Sequence, residues 1–123
     1  MKKIKLESIK LLYNAEAHFA AAEKYPDGLM NELQKRGVES YNAMLWAFTE
    51  MAKQAELYRR YMGESPRRIL TEKDLRTLMN AGQIRIASKM VLDAIIDGLG
   101  EGDGDEEIDE VLLELEKKTE KTG

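Results

Sequence analysis

Cysteine is absent from the 123-residue chain. That excludes a disulfide framework and any thiolate metal site, and it fits a reducing compartment. Proline occurs only at Pro26 and Pro66, and His18 is the single histidine. No apolar run approaches the roughly 20 residues that a bilayer-spanning helix needs. The basic start Met1-Lys2-Lys3-Ile4-Lys5-Leu6 leads into no apolar signal core. The expectation is a soluble, intracellular protein of one domain's length, able to bury a core without staples.

Catalytic signatures are missing as well. The run "GLGEGDG" has the glycines of a phosphate loop, but it lacks the Gly-Lys-Ser/Thr ending and carries acids that repel phosphate. Asp103, Asp105 and Glu107 alternate as in a calcium loop, but no register puts ligands and the central glycine where such a loop needs them. His18 has no second histidine or cysteine with which to build a metal site. No carboxylate pair stands apart as a tuned acid and base. The sequence therefore predicts a protein that is not an enzyme and carries no metal or cofactor.

Charge is unevenly spread. Residues 1–96 hold 16 Lys/Arg against 12 Asp/Glu, a net of +4, and residues 97–123 hold 3 against 11, a net of −8. An ordinary body with a solvated acidic tail is the default reading, because +4 over that length is no dense basic patch.

What is abundant is helix former: Ala, Leu, Met, Glu, Lys and Arg. The pattern predicts a mainly α fold of about five helices. Ile4, Leu6, Ile9, Leu11 and Tyr13 partly alternate with lysines, which favours a short N-terminal strand or extended arm, with a helix after Ser8 as the other option. Asn14 suits an N-cap for a helix over 15–24. Pro26 and Asp27 open a short helix that Gly37 closes. Ser40 starts the longest helix, which runs to about Met62. Its stripe is Tyr41, Met44, Leu45, Phe48, Met51, Ala52, Ala55 and Tyr58, and Trp46, Leu57 and Tyr61 make a second face. Thr71 and Asp74 form a capping box for the next helix. After Asn80-Ala81-Gly82 a last body helix runs to about Asp97, with Leu92 and Ile96 on one side of its stripe and Ile86 and Met90 on the other. The helical body is then residues 1–97, a Gly/acidic linker 98–104, and an acidic C-terminal helix or tail 105–123. In that tail Ile108, Val111, Leu112 and Leu115 recur at i, i+3, i+4 and i+7.

The stretch "TEKDLRTLMNAGQIRIASKM", residues 71–90, has the outline of a helix-turn-helix. Arg67, Arg68, Arg76, Arg85 and Lys89 are its candidate DNA contacts. A reading helix must present a polar outer face to the groove, and here Ile86 and Met90 interrupt that face while Asp93 and Asp97 follow. Carboxylates facing phosphate oppose binding. The favoured reading of residues 71–97 is a pair of core helices with spare apolar surface, so a nucleic-acid partner is not expected.

Taken in order, the segments "KIKL…IKLLYNAEAHFAAAEKYPDGLMNELQ", "YNAMLWAFTEMAKQ" and "ILTEKDLRTLMNAGQIRIASKMVLDAI" resemble the tail assembly chaperones of long-tailed bacteriophages and their prophage relatives. The likeness covers about residues 4–97. It rests on the "AAAEKYPDG" helix end, on Leu45-Trp46-Ala47, on Leu70-Thr71 through Leu75, and on a helix like Ile86–Ile96. The resemblance implies a non-enzymatic helper of virion assembly in the host cytoplasm. Such proteins bind the tape-measure protein, keep it soluble and recruit tail-tube protein. It also implies two products from one gene by programmed frameshifting, this chain being the short form, and the lysine codons near Lys117-Lys118 suit a slippery site. Trp46, Leu57, Tyr61, Ile86, Met90, Leu92 and Ile96 are the candidate partner face, helped by the adaptable thioethers of seven methionines. The same residues equally suit a small core or a homo-oligomer interface, and a small oligomeric scaffold is a third reading.

Overall fold

The computed structural model describes residues 4–100. They form a 3-10 turn, Leu6–Ser8, and five α-helices: α1 (Ala15–Lys24), α2 (Leu29–Leu33), α3 (Val38–Tyr61), α4 (Glu72–Leu78) and α5 (Gln83–Leu99). The mainly α expectation holds, and α3 is the axis on which α1, α2, α4 and α5 all lie. Ala43, Met44, Leu45, Ala47, Phe48, Met51 and Ala55 are buried along it. Leu6, Ala17, Ala21, Leu29, Leu75, Ala87, Val91 and Ile95 close the core from the other elements. Small residues at the contacts (Ala17, Ala21, Ala43, Ala47, Ala87) let the helix backbones approach closely.

Among the described residues there is no strand, so the predicted N-terminal strand is corrected to an extended arm broken by the 3-10 turn. A strand needs a second extended segment to bond with, and this arm bonds with helices instead. Ile4 N–H donates to Leu78 O (3.3 Å) and Leu12 N–H to Met51 O (3.0 Å).

Helix starts follow local chemistry. Asn14 caps α1 by accepting from Ala17 N–H, and the Thr71/Asp74 box closes reciprocally at α4. Other boundaries shift. Pro26 and Asp27 form a turn, and α2 begins only after Gly28, whose φ of 107° suits glycine. Gly37 does not close α2, which ends at Leu33; with φ 73° it leads into α3, two residues ahead of the expected Ser40 start. Ser40 instead donates its hydroxyl to Leu33 O (2.9 Å).

The body helix also runs past Asp97. Gly98 and Leu99 belong to α5, so the linker does not begin at Gly98. A Cβ at Gly98 would fall inside contact distance of the Tyr13 carbonyl oxygen and 2.8 Å from Tyr13 Cβ. This glycine lets helix and arm touch rather than loosening the chain. The predicted helix or tail over 105–123 lies outside the described residues.

Three buried polar side chains, Gln54, Glu56 and Gln83, each tie a non-helical segment to the helix frame. Gln54 Oε1 accepts from Asn14 Nδ2 (3.2 Å), at the start of α1. Glu56 gathers the α3–α4 loop. Gln83 Nε2 donates to Ile4 O (2.7 Å), and its Oε1 accepts from Asn80 N–H (3.1 Å). Buried polar groups are costly unless hydrogen-bonded, and no buried side-chain polar atom of the described residues lacks a partner.

Candidate partner-binding grooves

α4 and α5 both lie on α3 without approaching each other's backbone, and α1 and α5 likewise stay apart. Two apolar grooves result. The larger, about 340 Å³, opens between the first half of α3 and the α4–α5 turn. Its walls include Met44, Leu45, Leu75, Met79, Ala81 and Ile84, and Val38, Tyr41, Asn42, Arg76 and Asn80 complete it. Val38 is 71% exposed and Tyr41 47% exposed. The periodic pattern puts Tyr41 in the core stripe, and a helix start at Ser40 gives no sign of Val38, which the structure places in the first turn of α3. Tyr58, at the far end of the same stripe, is also half open. The second groove, about 260 Å³, lies where the C-terminal turn of α5 passes α1 and α2.

The predicted partner-face residues differ in exposure. Trp46 is half-buried and meets Tyr25 edge to face, with ring centroids 5.6 Å apart. That T-shaped geometry suits the ring quadrupoles and makes Trp46 part of the α1–α3 packing. Met90 also packs against the core, and Leu92 is half-buried. Leu57, Tyr61, Ile86 and Ile96 are open, with Tyr61 66% and Ile96 65% exposed. None of the seven lines the larger groove.

The basic residues also separate. Arg76 lines the larger groove. Arg67 and Arg68 share a different pocket with Lys10, Ile9 and Arg59. Arg68 pairs with Asp74 (2.7 Å) and Lys89 with Asp93 (3.3 Å). Arg85 is exposed on α5. Gln83, which opens the second helix of the helix-turn-helix outline, is buried and engaged with the arm.

Glu56 is the main electrostatic feature that sequence reading missed. Its carboxylate accepts from Arg67 N–H (2.7 Å), Arg60 Nε (3.0 Å) and Arg59 Nη1 (2.6 Å). Arg60 Nη2 also donates to Arg67 O (2.7 Å). The Arg67 amide foremost, with the two guanidinium groups, holds the Glu56 carboxyl down at about 2, against the desolvation that would raise it. The amide and hydroxyl of Thr71 and the Arg68 guanidinium lower Asp74 in the same way, the Thr71 amide contributing most. These carboxylates serve as braces for the loop between α3 and α4. Near the second groove, Tyr13 hydroxyl and His18 Nδ1 lie 2.7 Å apart, and burial raises the Tyr13 phenol. Among the described residues no three His, Cys, Asp or Glu side chains converge as for a metal, and no helix is long and apolar enough to cross a membrane.

No family model, curated protein or solved structure matches the chain.

Proposed function

We propose that this protein works by holding an apolar helical segment of another protein, as a non-enzymatic tail assembly chaperone acting on tape-measure and tail-tube proteins in the host cytoplasm. The observation that carries the binding part is the larger groove, whose apolar walls and open rim suit the buried face of an amphipathic helix. The phage assignment comes from the order of the sequence segments. Met44 and Met79 in the groove wall give it an adaptable lining. The open side chains Leu57, Ile86 and Ile96 would extend contact around the body for a long partner.

A helix-turn-helix regulator has less support. Its two helices stand apart on α3, its leading glutamine is buried, and the arm spans the turn through Ile4. Two of the five candidate cations are already paired with aspartates. Indifference to DNA at low salt is the expected result, and a steep fall of DNA affinity with added salt would reverse this preference.

The two-product part is tested by mass spectrometry of everything translated from the gene with its native downstream DNA. A second, longer protein sharing the chain to about Lys118 and then diverging is expected. A product set without any such extension counts against the tail-chaperone assignment.

A further inference from the structure

The pocket that holds Arg67 and Arg68 differs in kind from the two grooves. It measures about 150 Å³ and is lined by the arm, by α3 and by the loop between α3 and α4. Ile9, Ala52, Ala55, Ile69 and Leu70 give it an apolar lining. Lys10, Arg59, Arg67 and Arg68 bring four cations to it, against the single carboxylate of Glu56.

Part of that charge is already matched. Arg59 pairs with Glu56 (2.6 Å) and Glu64 (2.9 Å), and Arg68 with Asp74 (2.7 Å). Glu56 also takes Arg60 and the Arg67 amide, and Asp74 takes the Thr71 amide. The ammonium of Lys10 and the guanidinium of Arg67 are left over. Both residues are exposed, and among the described residues neither side chain pairs with a carboxylate. With Arg60 included, five cations stand against the carboxylates of Glu56, Glu64 and Asp74, an excess of two. The two excess charges come from different segments, Lys10 from the arm and Arg67 from the loop. The Arg67 backbone is fixed without its side chain, because its amide donates to Glu56 and its carbonyl accepts from Arg60.

We infer that this pocket binds a phosphate group, free or as a monoester, between Lys10 and Arg67. At pH 7 such a group carries about −1.5 to −2 charges, which matches the excess of two cations. An arginine fork and a lysine point charge both suit phosphate oxygens. A lone carboxylate or a phosphodiester, as in DNA, brings one charge and leaves one cation unmatched. The apolar lining takes the organic part of a monoester. The inference is independent of the proposed function, because this pocket shares no lining residue with the larger groove.

The test is a titration of the full chain with inorganic phosphate and, separately, with phenyl phosphate. Ionic strength is held constant with chloride, because screening alone perturbs exposed charges. The backbone amide resonances of Ala52, Ala55 and Ile69 should shift and saturate with either probe. Lys10→Ala and Arg67→Ala should each weaken the binding about tenfold, as loss of a charge-assisted hydrogen bond does. Arg67→Ala keeps the amide and carbonyl that brace the loop, so a loss of affinity there is not a loss of fold. Tighter binding of phenyl phosphate than of inorganic phosphate identifies a monoester, and equal or weaker binding identifies free phosphate. Shifts that follow chloride without saturating overturn the inference. Saturation that both substitutions leave unchanged overturns it too, by placing the anion elsewhere on the protein.

Discussion

Gly98 is decided by a distance. A methyl group there must displace the Tyr13 backbone or tilt the end of α5, so Gly98→Ala should lower stability by about 1–3 kcal/mol, as overpacking does. A flexible linker residue would give no measurable change in a denaturant titration. Gln83 is similarly specific. Gln83→Ala leaves Ile4 O without its side-chain donor and removes the acceptor of Asn80 N–H. The expected loss is about 1–3 kcal/mol, with faster hydrogen exchange at Ile4 than in wild type. These two residues mark where sequence reading stops. The partner of Gln83 is 79 positions away, and Gly98 looks like one more glycine in a glycine-rich run until the fold brings Tyr13 beside it. The caps at Asn14 and Thr71 were legible because each depends on an amide three residues on.

At the scale of elements, α3 carries the structure. Phe48 is fully buried at its centre, and Phe48→Ala should cost about 3–5 kcal/mol in thermal or chemical unfolding. The periodic stripe gave this helix and its buried centre from sequence alone. It failed at the ends, where Tyr41 and Tyr58 keep the period but neighbouring elements leave them half open. It also gave no sign of Glu56, whose burial depends on a loop amide 11 residues away. The Glu56 brace predicts a pH effect. Its carboxyl is held at about 2 in the fold, below the ordinary value of 4.5. The stabilisation it gives is therefore present above about 4.5 and is lost as pH falls towards 2. Glu56→Gln should flatten the acid limb of the stability curve in that window and loosen residues 63–71. An unchanged acid limb would mean that the carboxylate is solvated rather than clamped. The arm was read only as strand or extended chain, because alternation describes a half-buried segment without saying whether it bonds to a strand or to helices.

For the molecule as a whole, four helices packed on α3 leave apolar grooves among the described residues, one by the α4–α5 turn and one at the end of α5. The sequence conveyed that apolar residues exceed what one core absorbs. It did not locate the surplus, because helical faces read one at a time do not tell which gaps between helices stay open. Trp46 shows the difference: it lies off the main stripe of α3, yet Tyr25 covers it. Val38 makes a clean probe of the larger groove. It is exposed in the first turn of α3, where an acidic side chain suits the helix dipole, so Val38→Glu should leave stability within about 0.5 kcal/mol while placing a charge on the groove rim. The most direct measurement is therefore co-expression of the chain with the tape-measure protein from the same phage or prophage, followed by the soluble yield and co-purification of the two. The account predicts that wild-type protein keeps the tape-measure protein soluble and bound, and that Val38→Glu, folded as well as wild type, loses both. Equal yields with wild type, Val38→Glu and no chaperone would contradict it.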